Sequence, residues 1–188
     1  MIKKMMLMIS LTILVSAFGF AQESKTYIGP QLGWQKASDA DNGMLMPGGA
    51  IRIKLTPSLS VEGSINYRQE EYSNNNIKVT TWPVMITGMI YPIKTIYGAI
   101  GVGWYNTAID YSTHYHDLGI NDSRKQKFGW HFGAGTEIPL TRSENPPGAI
   151  LTADFRYVFL NYNFTEVPGS KDISSDYFVF TVGLLFGI

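Results

Sequence analysis

The sequence of 188 residues contains no cysteine, and only 16% of its residues are charged. Without cysteine there is no disulfide framework and no cysteine-linked lipid anchor, so burial and hydrogen bonds must hold the fold. The charges balance, at 15 basic and 15 acidic residues, which gives no indication of nucleic-acid binding. Soluble domains carry about 25% charged residues. The low charge, together with 19 glycines and 13% aromatic residues, indicates that much of the surface does not face water.

Long apolar runs are also missing, except at the N-terminus. Two lysines precede the apolar run 5–20, and Gly19 and Ala21 stand at the −3 and −1 positions of a cut before Gln22. This pattern predicts a cleaved signal peptide over residues 1–21 and a single mature domain over 22–188. The alternative is a membrane-anchoring helix, but a spanning helix needs about 20 apolar residues.

The rest of the chain alternates apolar and polar residues with a period of two, which is typical of β-strands. The clearest case is 150–162, where Phe155 and Tyr157 alternate with Asp154 and Arg156. Strands are predicted at about 26–36, 44–55, 59–72, 77–91, 95–111, 127–139, 150–162 and 176–188. Their short connections favour antiparallel neighbours, and the sequence therefore predicts an all-β, eight-stranded, up-and-down barrel.

Side-chain volume and charge predict which face of this barrel points inward. Eight strands leave an interior just wide enough for side chains to fill, so the many Trp and Phe residues of the apolar face fit better outside. Charged residues facing lipid at mid-bilayer would cost about 2–4 kcal/mol each when basic. They are therefore predicted to form a paired network in the lumen, which comprises Arg52, Lys54, Glu62, Arg68, Glu137, Asp154 and Arg156.

The positions of the tryptophans predict a membrane interface. If the mature N-terminus starts on the periplasmic side, all four fall near the outer ends of their strands and form an aromatic girdle. This girdle comprises Trp34, Trp82, Trp104 and Trp130. Tight turns at 56–58 and 92–94 are then periplasmic, and the long polar loops 112–126 and 163–175 are external. The connection 140–148 is longer than a typical periplasmic turn.

With this orientation, the chain resembles the small eight-stranded outer-membrane β-barrel family of the OmpA/OmpX membrane-domain type. The resemblance covers nearly the whole mature chain and is carried by the segments Pro83–Tyr105, Phe128–Leu140, Asp154–Leu160 and Phe178–Ile188. It implies a bacterial outer-membrane location, contact with outer-membrane lipids and lipopolysaccharide, and assembly by the outer-membrane machinery. Family members usually end in an aromatic residue, whereas here Phe186 precedes a terminal Ile188.

These observations favour a monomeric outer-membrane protein, without enzymatic activity or cofactor, that has a structural or surface-interaction role. The lumen charges are interpreted as a paired plug, and a narrow passive pore for small solutes is the alternative. A lipid-modifying enzyme would use His131, and a soluble lipocalin-like barrel would invert the faces. His114 and His116, two residues apart, could hold a metal, but in an external loop they are predicted to be solvated. An extracellular partner would bind through loops 112–126 and 163–175.

Overall fold

The computed structural model describes residues 25–38, 40, 42–72, 77–111, 123–141, 148–160 and 176–188. The predicted signal peptide lies outside these residues and stays a prediction. The strand segments are β1 (Lys25–Ala37), β2 (Met44–Thr56), β3 (Leu59–Asn66), β4 (Arg68–Tyr72), β5 (Ile77–Ile93), β6 (Ile96–Tyr111), β7 (Ser123–Pro139), β8 (Ala149–Phe159) and β9 (Tyr177–Gly187).

The strands form one closed antiparallel sheet. Their order is β3-β2-β1-β9-β8-β7-β6-β5-β4, and the additional pairing of β3 with β5 closes the ring. β3 and β4 continue in one register along β5, because Ile65 lies opposite Val84 and Arg68 opposite Thr81. Between them, the Tyr67 amide donates to the Pro47 carbonyl on β2 at 2.8 Å. The two segments are therefore one strand, and the predicted eight-stranded up-and-down barrel is confirmed.

Two strand boundaries differ from prediction. β7 begins at Ser123 rather than near Lys127, so residues 123–126 belong to the barrel wall and not to the predicted loop 112–126. Ser123 lies opposite Ile109, and the β6 ladder orders this polar stretch although its sequence lacks apolar alternation. β8 ends at Phe159, before the predicted end at Tyr162. Residues 112–122 and 161–175 lie outside the described part of the chain.

The two ends of the barrel differ in their connections. Tight turns join β2 to β3 and β5 to β6 at the end where Lys25 and Ile188 also lie, and the Ile188 amide donates to the Thr26 carbonyl at 3.0 Å. Short turns are typical of the periplasmic end of an outer-membrane barrel. The opposite end, which leads into 112–122 and 161–175, is therefore the external one.

Apolar side chains cover the outside of the barrel. Phe128, Ile100 and Ile90 expose 60–62% of their surface, and the neighbouring positions on the same strands point inward. The strands have 11–17 residues, except for the two parts of the interrupted strand, and a tilted membrane strand needs about 9–11. No helix among the described residues has the length and apolar character that crossing a membrane requires.

The barrel interior is layered. Ion-paired side chains occupy the middle of the barrel and extend toward the periplasmic end, beside two small apolar clusters. In the external half, a larger apolar cluster surrounds the buried Arg68–Glu70 pair. That cluster comprises Ala37, Ala40, Met46, Val79, Tyr105, Ile109, Val158, Leu160, Tyr177 and Val179. These residues are at most 7% exposed, so the external half of the lumen is packed like a protein core.

Candidate functional site

Six of the seven predicted lumen charges form one continuous chain of ion pairs. Its order is Lys54–Glu137–Arg52–Glu62–Arg156–Asp154, so cations and anions alternate. Arg52 Nη1 lies 3.2 Å from Glu137 Oε2, and Arg52 Nη2 lies 2.6 Å from Glu62 Oε2. Arg156 reaches Glu62 Oε1 at 2.8 Å and Asp154 Oδ1 at 2.7 Å. This row of ion pairs contains three cations and three anions and therefore carries no net charge.

The strand order shows that this chain crosses the full width of the barrel. In a ring of eight strands, β2 and β7 lie four places apart, as do β3 and β8. Arg52 on β2 therefore contacts Glu137 on the opposite wall, and Glu62 on β3 contacts Arg156 on the opposite wall. The two crossings are joined on one side, because Arg52 and Glu62 are direct cross-strand partners.

Hydroxyl groups on β5 and β6 complete the hydrogen bonding of the chain. Tyr91 donates to Glu137 Oε2 at 2.9 Å, and Tyr97 donates to Asp154 Oδ2 at 3.2 Å. Arg156 Nη1 donates to Thr87 Oγ1 at 3.2 Å, and the Arg52 guanidinium lies 5.0 Å from the centre of the Tyr97 ring. Buried charges are stable only when their remaining donors and acceptors are satisfied, and these contacts supply that condition.

The seventh predicted charge, Arg68, belongs to a separate cluster nearer the external end. It forms an ion pair with Glu70 and donates through Nε to Gln35 Oε1 at 3.2 Å. Its guanidinium also lies 3.7 Å from the centre of the Tyr177 ring, where a cation–π contact is favourable. Glu70 shares the inward parity of Arg68, and that parity is the sequence signal for the pair.

Each tryptophan of the predicted girdle points outward, with 41–47% of its surface exposed. On successive strands β5, β6 and β7, Trp82 lies opposite Asn106, two residues beyond Trp104, and Trp104 lies opposite Phe128, two residues before Trp130. The three rings thus step diagonally across the ladder. A diagonal step of this kind compensates for strand tilt and keeps side chains near one height.

His131 is buried inside the barrel. Its Nε2 lies 2.9 Å from Thr87 Oγ1, and Gly101 lies directly opposite on β6. The residues described here contain no cluster of three or more His, Asp or Glu side chains that could hold a metal ion. His114 and His116 fall outside those residues.

Comparison with known proteins identifies the family. The sequence profile described as "Outer membrane protein beta-barrel domain" matches residues 7–186. The chain belongs to this family. Its location is the bacterial outer membrane. A comparison with curated protein sequences finds no match.

Solved structures of small outer-membrane barrels share the fold. OprG from Pseudomonas aeruginosa is 13% identical, with a TM-score of 0.62, over 88% of this chain and 96% of OprG. Neisserial surface protein A is 14% identical, with a TM-score of 0.58, over 86% of this chain and 96% of the neisserial protein. Outer membrane protein W of E. coli is 11% identical, with a TM-score of 0.54, over 88% of this chain and 98% of that protein. At these identities the likeness shows the fold alone.

Proposed function

We propose that the protein is a monomeric, non-enzymatic outer-membrane barrel with a closed lumen and a structural or surface-interaction role in the cell envelope. The observation that supports a closed lumen is the pair of ion-pair crossings between opposite walls, Arg52–Glu137 and Glu62–Arg156. Their side chains are at most 4% exposed. An ion passing through would have to displace neutralised, hydrogen-bonded charges, and it would also meet the apolar cluster of the external half.

Planar lipid bilayers test the closed lumen. We expect no stepwise current from the native protein. A variant with Arg52, Glu62, Glu137 and Arg156 all replaced by alanine removes two charges of each sign but keeps the apolar cluster, and we expect it to stay silent. Adding Met46→Ala and Tyr105→Ala, which opens that cluster as well, should make the variant conduct more than the native protein. Lys94→Gln, in an exposed periplasmic turn, is the matched control and should stay silent. Stepwise conductance of the native barrel would reject the closed lumen in favour of the passive pore.

The absence of enzymatic activity is part of the same proposal. His131, the histidine that a lipid-modifying enzyme would use, is 0% exposed and contacts Thr87 in the interior, away from the lipid-facing surface. A lipid substrate would have no path to this imidazole without opening the wall. We expect equal and negligible turnover of phospholipid and lipid A by the native protein and by His131→Ala. Turnover that is lost in the variant would support the enzyme instead.

The proposed partners follow from the location. Lipopolysaccharide contacts the outward face near the external end, the assembly machinery reads the C-terminal strand β9 with Phe186, and an extracellular partner binds through the segments 112–122 and 163–175. Deletion of 112–122 should preserve the barrel and abolish such a partner contact. A binding assay on intact cells measures the contact, and heat-modifiable migration on a detergent gel measures the fold.

A further inference from the structure

A groove lies on the outer wall of the barrel near the external end of β5, β6 and β7. It has a volume of about 510 Å³, which is within the range of ligand sites. Its lining residues are Trp82, Asn106, Thr107, Ala108, Arg124, Lys125 and Gln126. Trp82, Asn106 and Gln126 occupy one row across the three strands, and Arg124 lies opposite the small Ala108 in the next row. The small side chain of Ala108 lies between larger neighbours and leaves the space that forms the groove.

The groove begins at the level of the phospholipid headgroups and extends above them. Trp82 forms its lower edge, and Arg124 lies six residues along β7 from Trp130 toward the external end. With a rise of about 3.3 Å per residue and a tilt of about 40°, Arg124 is about 15 Å above Trp130. A phospholipid headgroup layer is only about 5–8 Å deep. A larger, sugar-containing headgroup is needed to fill the groove.

The side chains of the groove suit a phosphorylated sugar. The exposed indole of Trp82 offers a flat apolar face to a sugar ring. Gln126 donates to Asn106 Oδ1 at 2.9 Å, which leaves the Asn106 amide nitrogen and the Gln126 carbonyl to bond sugar hydroxyls.

Charge favours a phosphate at the upper edge. Arg124 is exposed and forms no ion pair within the described part of the chain. A planar guanidinium can bind phosphate through two parallel hydrogen bonds. Lys78 and Asp110 lie directly opposite each other nearby, so these three exposed side chains carry one net positive charge.

We propose that this groove binds the phosphorylated sugar headgroup of an outer-leaflet glycolipid of the lipid A class. The acyl chains of that lipid would lie along the apolar wall below Trp82, where Val84 and Trp104 are exposed. The site deepens the lipopolysaccharide contact proposed above and rests on it, but it does not depend on the closed lumen.

Native mass spectrometry of the full barrel, released from detergent with added lipid, tests the site. The probes are bisphosphorylated lipid A, dephosphorylated lipid A and phosphatidylglycerol. We expect retention of bisphosphorylated lipid A and about tenfold weaker retention by Arg124→Gln, since a hydrogen bond to a charged group is lost. Ala108→Phe fills the groove without changing charge and should weaken retention to a similar extent.

Two controls separate the groove from general effects. Lys94→Gln removes a cation at the periplasmic end, and Ala134→Phe adds a ring to the lipid-facing wall away from the groove; both should retain lipid A like the native protein. Equal retention of dephosphorylated lipid A or of phosphatidylglycerol, or unchanged binding by Arg124→Gln and Ala108→Phe, would overturn the site. Bilayer currents of the same variants keep this result separate, because a failed site with a silent bilayer leaves the closed lumen standing.

Discussion

Gly133 on β7 lies directly opposite Arg156 on β8, and a β-carbon at Gly133 would come within 2.9 Å of the Arg156 Cα. Gly135 has the same relation to Asp154, whose Cβ would be 2.6 Å from the added carbon, and the Tyr97 ring would be equally close. The inward glycines of β7 therefore provide the space in which the charged chain lies. This explains the alternate glycines of β7 as packing features, as their position on one strand face predicts.

Substitution of Gly135 by valine should lower the free energy of unfolding by about 1–3 kcal/mol, because added methyl groups overpack the interior. Urea titration of the barrel in lipid vesicles measures this change. Gly98→Val is the matched control, since a β-carbon at Gly98 would meet nothing within 4 Å on the outer wall. Equal loss of stability in both variants would contradict the proposed use of glycine inside.

Substitution of Glu62 by glutamine should destabilise the barrel by about 3–5 kcal/mol, because Glu62 neutralises both Arg52 and Arg156 in a buried site. Glu71→Gln, on the same strand but less buried, should change stability by no more than about 0.5 kcal/mol. Adding Arg156→Gln to Glu62→Gln should recover part of the loss, since Glu62→Gln alone leaves three cations against two anions in the buried network, and removing Arg156 makes the numbers equal again. A double-mutant cycle in urea measures this coupling, and strictly additive losses would show that the two side chains act independently.

The depth of the tryptophans in the bilayer can be measured by the fluorescence of the native protein. All four indoles point outward, and they should be quenched by lipids brominated near the headgroup more strongly than by lipids brominated near the chain ends. Variants that retain one tryptophan, with phenylalanine at the other three positions, assign a depth to each ring. A tryptophan that is quenched best by the deep bromines does not lie at the interface and is not part of the girdle. Strong quenching by aqueous iodide would show that the tryptophan lies in water.

The period-two alternation predicts most of the fold. Phe155 and Arg156 are neighbours with opposite preferences for lipid, and volume and charge together decide which one faces inward. The same reasoning places the six charges of the chain on the inner face without any knowledge of the pairing. Fold class and location follow from these local and compositional signals.

The contacts across the lumen require the closed ring. Lys54 and Glu137 are separated by 83 residues, and Arg156 and Glu62 by 94. Their meeting depends on how many strands separate them and on how the register of every ladder adds up. The separation of Arg68 from the six connected ion-paired residues has the same origin.

The alternation of apolar and polar residues does not predict the apolar cluster of the external half, for a different reason. Near Val158 both strand faces carry apolar residues, since Tyr157 and Phe159 flank it, so neither face is marked there as the interior. The early start of β7 at Ser123 has the opposite cause, because the residues 121–126 are all polar. In both places the partner strand, and not the local sequence, determines the structure.

The fold and the location both depend on which face of each strand meets lipid, and the absence of native cysteine allows a direct test. Thr181 and Val182 are neighbours on β9 with 5% and 40% of their surfaces exposed. A spin label on Val182→Cys in vesicles should collide with lipid-soluble oxygen and not with a water-soluble nickel complex, and the Thr181→Cys thiol should stay unreactive until the barrel unfolds. A label at Val182 that collides with the nickel complex, together with a Thr181 thiol that reacts with a lipid-soluble reagent, would show that the faces of the barrel are inverted.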